Sequence, residues 1–143
     1  MKYKYVSHTA EAAYVAYGKD FSEALENAAE AMFNIMVDLK KIKKEREKLY
    51  EMEIIESADD EEQLVWHLLQ RIISEADASS IAPVSLEIKS ILNSESKFKI
   101  ACELSYAKDS WNYGLLDIKA VTPHGLKVES KKGKVSISVV VDV

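Results

Sequence analysis

One cysteine, two prolines and four glycines are all that 143 residues contain of those types. The lone Cys102 excludes an intrachain disulfide framework and a cysteine-based zinc site. It sits in an alternating apolar run, "KFKIACELSY", where a buried core thiol is the plain reading. There is no glycine-rich phosphate loop, no nucleophile elbow and no HExxH helix. No apolar run approaches the ~20 residues of a membrane span, and "MKYKYVSHT" lacks the apolar region of a signal peptide. The expected compartment is therefore the cytoplasm, with no membrane partner. Positive charge is also short. The net charge is −5, whereas independent nucleic-acid binders usually carry a basic footprint. The one basic cluster, "KKIKKEREK" at 40–48, is broken by two glutamates and Ile42. It reads as a solvated connection or an edge strand, with direct RNA contact as the lesser alternative.

What is present suits a folded domain. Hydrophobic content is 48% and charged content 30%, which places the chain among soluble globular proteins. Its length fits one domain, 1–143, able to bury a real core. "KYKYVSH" and "AAYVAYG" alternate like strands. Asp20 then precedes Glu23 at capping-box spacing, and an apolar stripe from Phe21 to Met36 predicts a helix over about 21–37. "KLYEMEIIES" reads as a strand. Asp59 and Glu62 repeat the capping-box spacing, and Leu64, Val65, Leu68, Leu69, Ile72 and Ile73 predict a second helix over about 60–77. Within it, His67 reads as a solvated histidine. "VSLEIKSI" and "KFKIACELSY" form a hairpin signal around "LNSES". The segment 107–114 is loop-like, and "LLDIKAVT", "HGLKVES" and "KVSISVVVDV" are further strands. The expected fold is α+β: a two-layer sandwich with a mixed, mostly antiparallel sheet and two helices packed on one face.

Read from the residues alone, the chemical candidates are His8, Glu11, Asp38, His124 and Asp142. Their spacing leaves open whether the strand ends that carry them converge. Each also has a plain structural reading. Thr9 closes a turn by bonding nearby backbone, and His8 is a satisfied core or edge histidine. Asp38 is a solvated helix end, and Asp142 a solvated strand end.

Three ordered blocks change that balance. "HTAE" followed by "AYGKDFSEALENAAEAMFNIMVD" resembles the signature of the archease family: HTAD, a strand ending at a Tyr-Gly turn, a Glu-rich helix and a Met-x-Asp-like end. "IKAVTPHGLKV" resembles the family's Lys-Ala-Val-Thr-aromatic-His block. The terminal "VVVDV" resembles its closing strand, so the resemblance covers essentially the whole chain. It implies a non-ligating accessory protein of the metal-dependent tRNA-splicing RNA ligase. Such proteins promote guanylylation of the ligase's catalytic subunit, support multiple turnover and broaden its nucleotide usage, touching RNA only indirectly. It also implies a divalent ion, calcium first and magnesium as the alternative, held by Glu11, Asp142 and Val143. His8, Thr9, Asp38, Lys119 and His124 would stand beside the ion or face the partner. Glu11 replaces the family's Asp, and its extra methylene moves the carboxylate by ~1.5 Å, which the flexible shell of calcium accommodates. Pro123 replaces an aromatic residue. Two other readings stay open: a small metal-dependent phosphohydrolase using His8 or His124 as acid/base, and an interaction module with a structural ion. The absence of a clear nucleophile and of a second carboxylate cluster counts against the hydrolase.

Overall fold

A computed structural model describes residues 1–6, 11–45 and 48–143. Strands β1 (Tyr3–Val6) and β2 (Glu11–Gly18) lead into helix α1 (Phe21–Met36). Helix α2 (Leu39–Glu45) and strand β3 (Tyr50–Ala58) precede helix α3 (Glu61–Ser79). Strands β4 (Ala82–Ser94), β5 (Lys97–Ala107), β6 (Ala120–Val121), β7 (Lys127–Lys131) and β8 (Lys134–Asp142) complete the chain. The α+β expectation holds, and two features go beyond it. The described strands form two antiparallel sheets, one ordered β1-β2-β8-β6 with β7 also on β8, the other β3-β5-β4. The basic segment after Asp38 is a helix, not an edge strand.

Local chemistry explains both long helices. Asp20 is extended and its Oδ1 accepts from Glu23 N at 2.8 Å, capping α1, while Glu23 Oε1 accepts from Lys19 N. At α3 the expected box is displaced by one residue. Asp60 accepts from Gln63 N at 2.8 Å, and Gln63 Oε1 accepts from Asp59 N. Each such cap satisfies an otherwise orphaned helix donor and stabilises by about 1 kcal/mol. Gly18 lets β2 hand directly to α1, since a Cβ there would lie 2.3 Å from Ala24 N.

Alternation then decides which side each strand buries. Val135, Ile137, Val139 and Val141 of β8 face the helices. They meet Gly18, Ala16, Tyr14 and Ala12 of β2 across the ladder. Tyr14 donates its hydroxyl to Ala28 O at 2.9 Å, and Tyr5 to Ala31 O at 2.8 Å, docking β1 and β2 on α1. Leu25, Met32 and Phe33 of α1 and Leu64, Leu68, Leu69 and Ile72 of α3 are fully buried in one core with Ile54, Ile100 and Leu104 of the second sheet. Burying one such side chain contributes about 1.5–3 kcal/mol. A small satellite core of Val37, Ile42, Ala82, Ala107 and Tyr113 holds α2 in place.

Candidate functional site

The last residue of β8 and the first of β2 come together at one end of the five-stranded sheet. Glu11 and Asp142 are register partners, directly opposite each other. Directly opposed residues of an antiparallel pair point to the same side, with Cβ atoms about 4.5–5.5 Å apart. Val141 and Ala12 face the core, so Glu11 and Asp142 lie on the opposite, helix-free side. Asp142 is exposed and Glu11 half-buried. Like charges so placed repel. Among the described residues neither carboxylate has an ion-pair partner.

The backbone of this corner is fixed from three sides. Ala120 of β6 also opposes Asp142, and Lys119 N donates to Asp142 O at 2.7 Å. Helix α3 in turn holds β6 and β7 with one stripe at i, i+4, i+8. Trp66 Nε1 donates to Val121 O at 2.8 Å, Gln70 Oε1 accepts from Val121 N at 3.0 Å, and Glu62 Oε2 accepts from Val128 N at 3.0 Å. These three positioning residues escape sequence reading because each bonds backbone far along the chain. Their only sequence signal is polar or amphipathic residues at helical spacing beside an apolar stripe.

The other candidates fall in different places. His8 and Thr9 lie outside the described residues. Lys119 reaches Asp142 through its backbone, while its side chain is exposed. Asp38 is a helix cap: its Oδ1 accepts from Lys41 N at 3.1 Å, and its own N donates to Tyr113 O at 2.8 Å. His124 is exposed in the turn between β6 and β7. That turn presses on β8, since a Cβ on Gly125 would meet Val140 Cγ2 at 2.7 Å. Val140 shares the face of Asp142, two residues or about 7 Å along the strand. Val143 follows β8 and packs its side chain partly against the core. His67 is half-buried and lines a surface cleft. Its Nδ1 lies 2.8 Å from Ser57 O, and a carbonyl only accepts, so Nδ1 carries the proton.

The model of the Archease protein family matches residues 3–143. The chain belongs to the archease family. Among curated relatives, protein archease of Methanosarcina mazei is 31% identical over 145 residues, spanning 99% of this chain and 96% of its own. Protein archease of Archaeoglobus fulgidus is 31% identical over 144 residues, with both chains fully covered. In fold, the chain resembles the solution structure of Methanobacterium thermoautotrophicum protein 1598, with a TM-score of 0.82, 23% identity and 99% of each chain covered. It also resembles the crystal structure of an archease from Thermotoga maritima, described as a possible chaperone, with a TM-score of 0.59, 22% identity and coverage of 98% and 96%. At those identities the structures speak to the fold alone.

The archease blocks quoted from the sequence thus converge in part. Glu11 of the first block and Asp142 of the last stand opposite each other, and the middle block supplies Lys119 and Ala120 beside them. Pro123 lines a cleft with Asp60, Glu62, Gln63, Trp66, His67 and Leu126. Among the described residues no group of three or more His, Cys, Asp or Glu side chains gathers to hold a metal. Among the described residues, Glu11 and Asp142 are the carboxylates that the ladder sets opposite each other at this corner. No helix among the described residues is long and apolar enough to cross a membrane.

Proposed function

We propose that this archease is a cytoplasmic, non-enzymatic activator of the tRNA-splicing RNA ligase. In this reading it promotes guanylylation of the ligase's catalytic subunit, supports multiple turnover and broadens its nucleotide usage. It carries a divalent ion, calcium before magnesium, held by Glu11, Asp142 and a main-chain oxygen of Val143. The observation that carries the reading is the Glu11–Asp142 register pair: two carboxylates opposed across the ladder, with no ion-pair partner among the described residues. The donor set is oxygen only, which suits a hard cation. Calcium takes six to eight oxygens at about 2.3–2.6 Å in a flexible shell, so two carboxylates with water or partner oxygens suffice. The longer arm of Glu11 is tolerated by such a shell and ill suited to the strict octahedron of magnesium.

When bound, the ion supplies positive charge at an otherwise anionic corner, able to orient phosphate oxygens or carboxylates of a partner. The chain's own residues do the rest. Lys119 N fixes the backbone of Asp142, β6 is clamped by Trp66 and Gln70, and the chain's net charge of −5 suits docking on a basic, RNA-handling protein. RNA contact is then indirect. The test is guanylylation and multiple-turnover ligation by the cognate ligase with and without this protein. Stimulation that disappears in Glu11→Gln and Asp142→Asn supports the reading. Equal turnover at every concentration of the protein defeats it.

A further inference from the structure

Trp111, Leu115 and Leu116 are 73%, 59% and 48% exposed. The segment that carries them is nonetheless pinned at many points. Tyr113 and Ile118 are buried, flanking the two leucines. Ser110 N donates to Ser80 O at 3.1 Å, Leu115 N to Met36 O at 2.9 Å, and Gly114 forms a β-bridge with Val37. A rigidly held indole left in water is the kind of group that anchors protein interfaces.

Beneath this ridge is a cleft of about 210 Å³ between the segment and the C-terminal ends of α1 and α3. Its lining is polar and apolar in about equal parts, the apolar part coming from Met36, Val37, Ala76, Ile81, Trp111 and Leu116. The charged residues that line it are Asp77 and Asp117, and no lysine or arginine does. Helices α1 and α3 end here, at Met36 and Ser79, and neither has a basic residue in its last turn. Each helix C-terminus carries roughly half a negative charge and favours a cation. Of the lysines in neighbouring segments, Lys41 is engaged with Asn112 O and the Tyr113 ring, and Lys108 lies over the Tyr50 ring. The cleft thus combines apolar side chains with two carboxylates and two helix C-termini, and is rimmed by an indole.

We propose that this cleft is a docking socket for an arginine side chain of the partner protein, with Trp111, Leu115 and Leu116 forming the apolar part of the same interface. A guanidinium is weakly hydrated, stacks on aromatic faces and donates to carboxylates, while its methylene stem packs on apolar surface. Nucleic acid does not fit, because its phosphates would meet only negative charge. Naming the partner as the ligase rests on the function proposed above. Lys119, at the end of this segment, is bonded to Asp142, and an extended run from Leu116 to Lys119 spans about 10 Å. A standard contact of about 800 Å² per partner centred on the carboxylate pair therefore extends over the ridge.

Two measurements test the socket. The first needs no ligase. The chain has two tryptophans, so two indole N–H signals report separately in an NMR titration with N-acetylarginine amide. The neutral citrulline analogue is the control. The Trp111 signal should shift saturably with the arginine compound alone, the Trp66 signal should stay, and Asp77→Asn with Asp117→Asn should weaken binding about tenfold. An equal response to both compounds, or none at Trp111, overturns the socket. The second titrates the protein into ligase turnover assays. Trp111→Ala and the double Asn variant, checked for folding by circular dichroism, should raise the half-maximal concentration about tenfold and leave maximal stimulation intact. An unchanged half-maximal concentration overturns the link to this partner. A ligase indifferent to the wild-type protein refutes the proposed function instead, and the first measurement then decides the socket by itself.

Discussion

Replacing Asp142 by Asn should stabilise the protein when divalent ions are chelated and destabilise it, relative to wild type, when calcium is present. Glu11 and Asp142 face each other across the ladder. Two unit charges about 5 Å apart, the Cβ spacing of a directly opposed pair, repel by about 0.8 kcal/mol in a water-like dielectric. Asparagine keeps the shape and removes that term. For a chain of this length each kcal/mol moves the melting temperature by about 2–4 °C, so the variant should melt about 2–3 °C above wild type in chelator. Calcium at a hundred times its dissociation constant stabilises wild type by about 2.7 kcal/mol. A variant binding ten- to a hundredfold more weakly gains only about 0.4–1.4 kcal/mol under the same conditions. The order of melting should therefore invert. Thermal unfolding followed by circular dichroism in chelator and in calcium reads both limbs. The reasoning is refuted if the two proteins keep the same order in both buffers, since the pair would then fail either to repel or to hold an ion.

Two further outcomes follow from the fold. Gly18→Ala drives a Cβ to within 2.3 Å of backbone at the start of α1, and backbone cannot swing aside as a side chain can. It should lower stability by about 1–3 kcal/mol in urea unfolding, and an unchanged midpoint would mean that β2 and α1 meet differently. Burial pushes the Cys102 thiol up to about 12 from an ordinary value of 9.0, and burial likewise raises the Tyr14 hydroxyl. Above pH 9 the unfolded thiol loses its proton while the folded one keeps it, so stability should fall as pH rises from 9 toward 12. A Cys102→Ala variant should show a shallower fall, and identical slopes for both proteins would show that the thiol is not shielded.

Much of the fold can be read in the sequence because it depends on local chemistry. Asp20 and Asp60 stand just before apolar stripes of helical period, and those stripes locate α1 and α3 to within two residues at each end. Helix α2 is hidden because only Ile42 among "KKIKKE" is buried, and a single apolar residue has no period. Likewise "LLDIKAVT" looks like a strand, yet only Ala120 and Val121 pair with β8. Leu115 and Leu116 are apolar by composition but serve no core. The carboxylate pair lies between these extremes. Glu11 and Asp142 come from opposite ends of the chain. Their meeting depends on the register of β2 on β8, which alternation fixes only after the two strands are known to be neighbours. The clamps from Glu62, Trp66 and Gln70 are less legible still, because side chain to backbone bonds leave no mark on the partner's sequence.

The central claim is that this archease activates an RNA ligase through the Glu11–Asp142 corner. Single-turnover guanylylation of the cognate ligase, followed by multiple-turnover ligation, tests it most directly. Wild-type protein should increase both the guanylylated fraction and the number of turnovers, and folded Asp142→Asn should do neither. Equal guanylylation and equal turnover with and without the wild-type protein, at every concentration tried, would contradict the account.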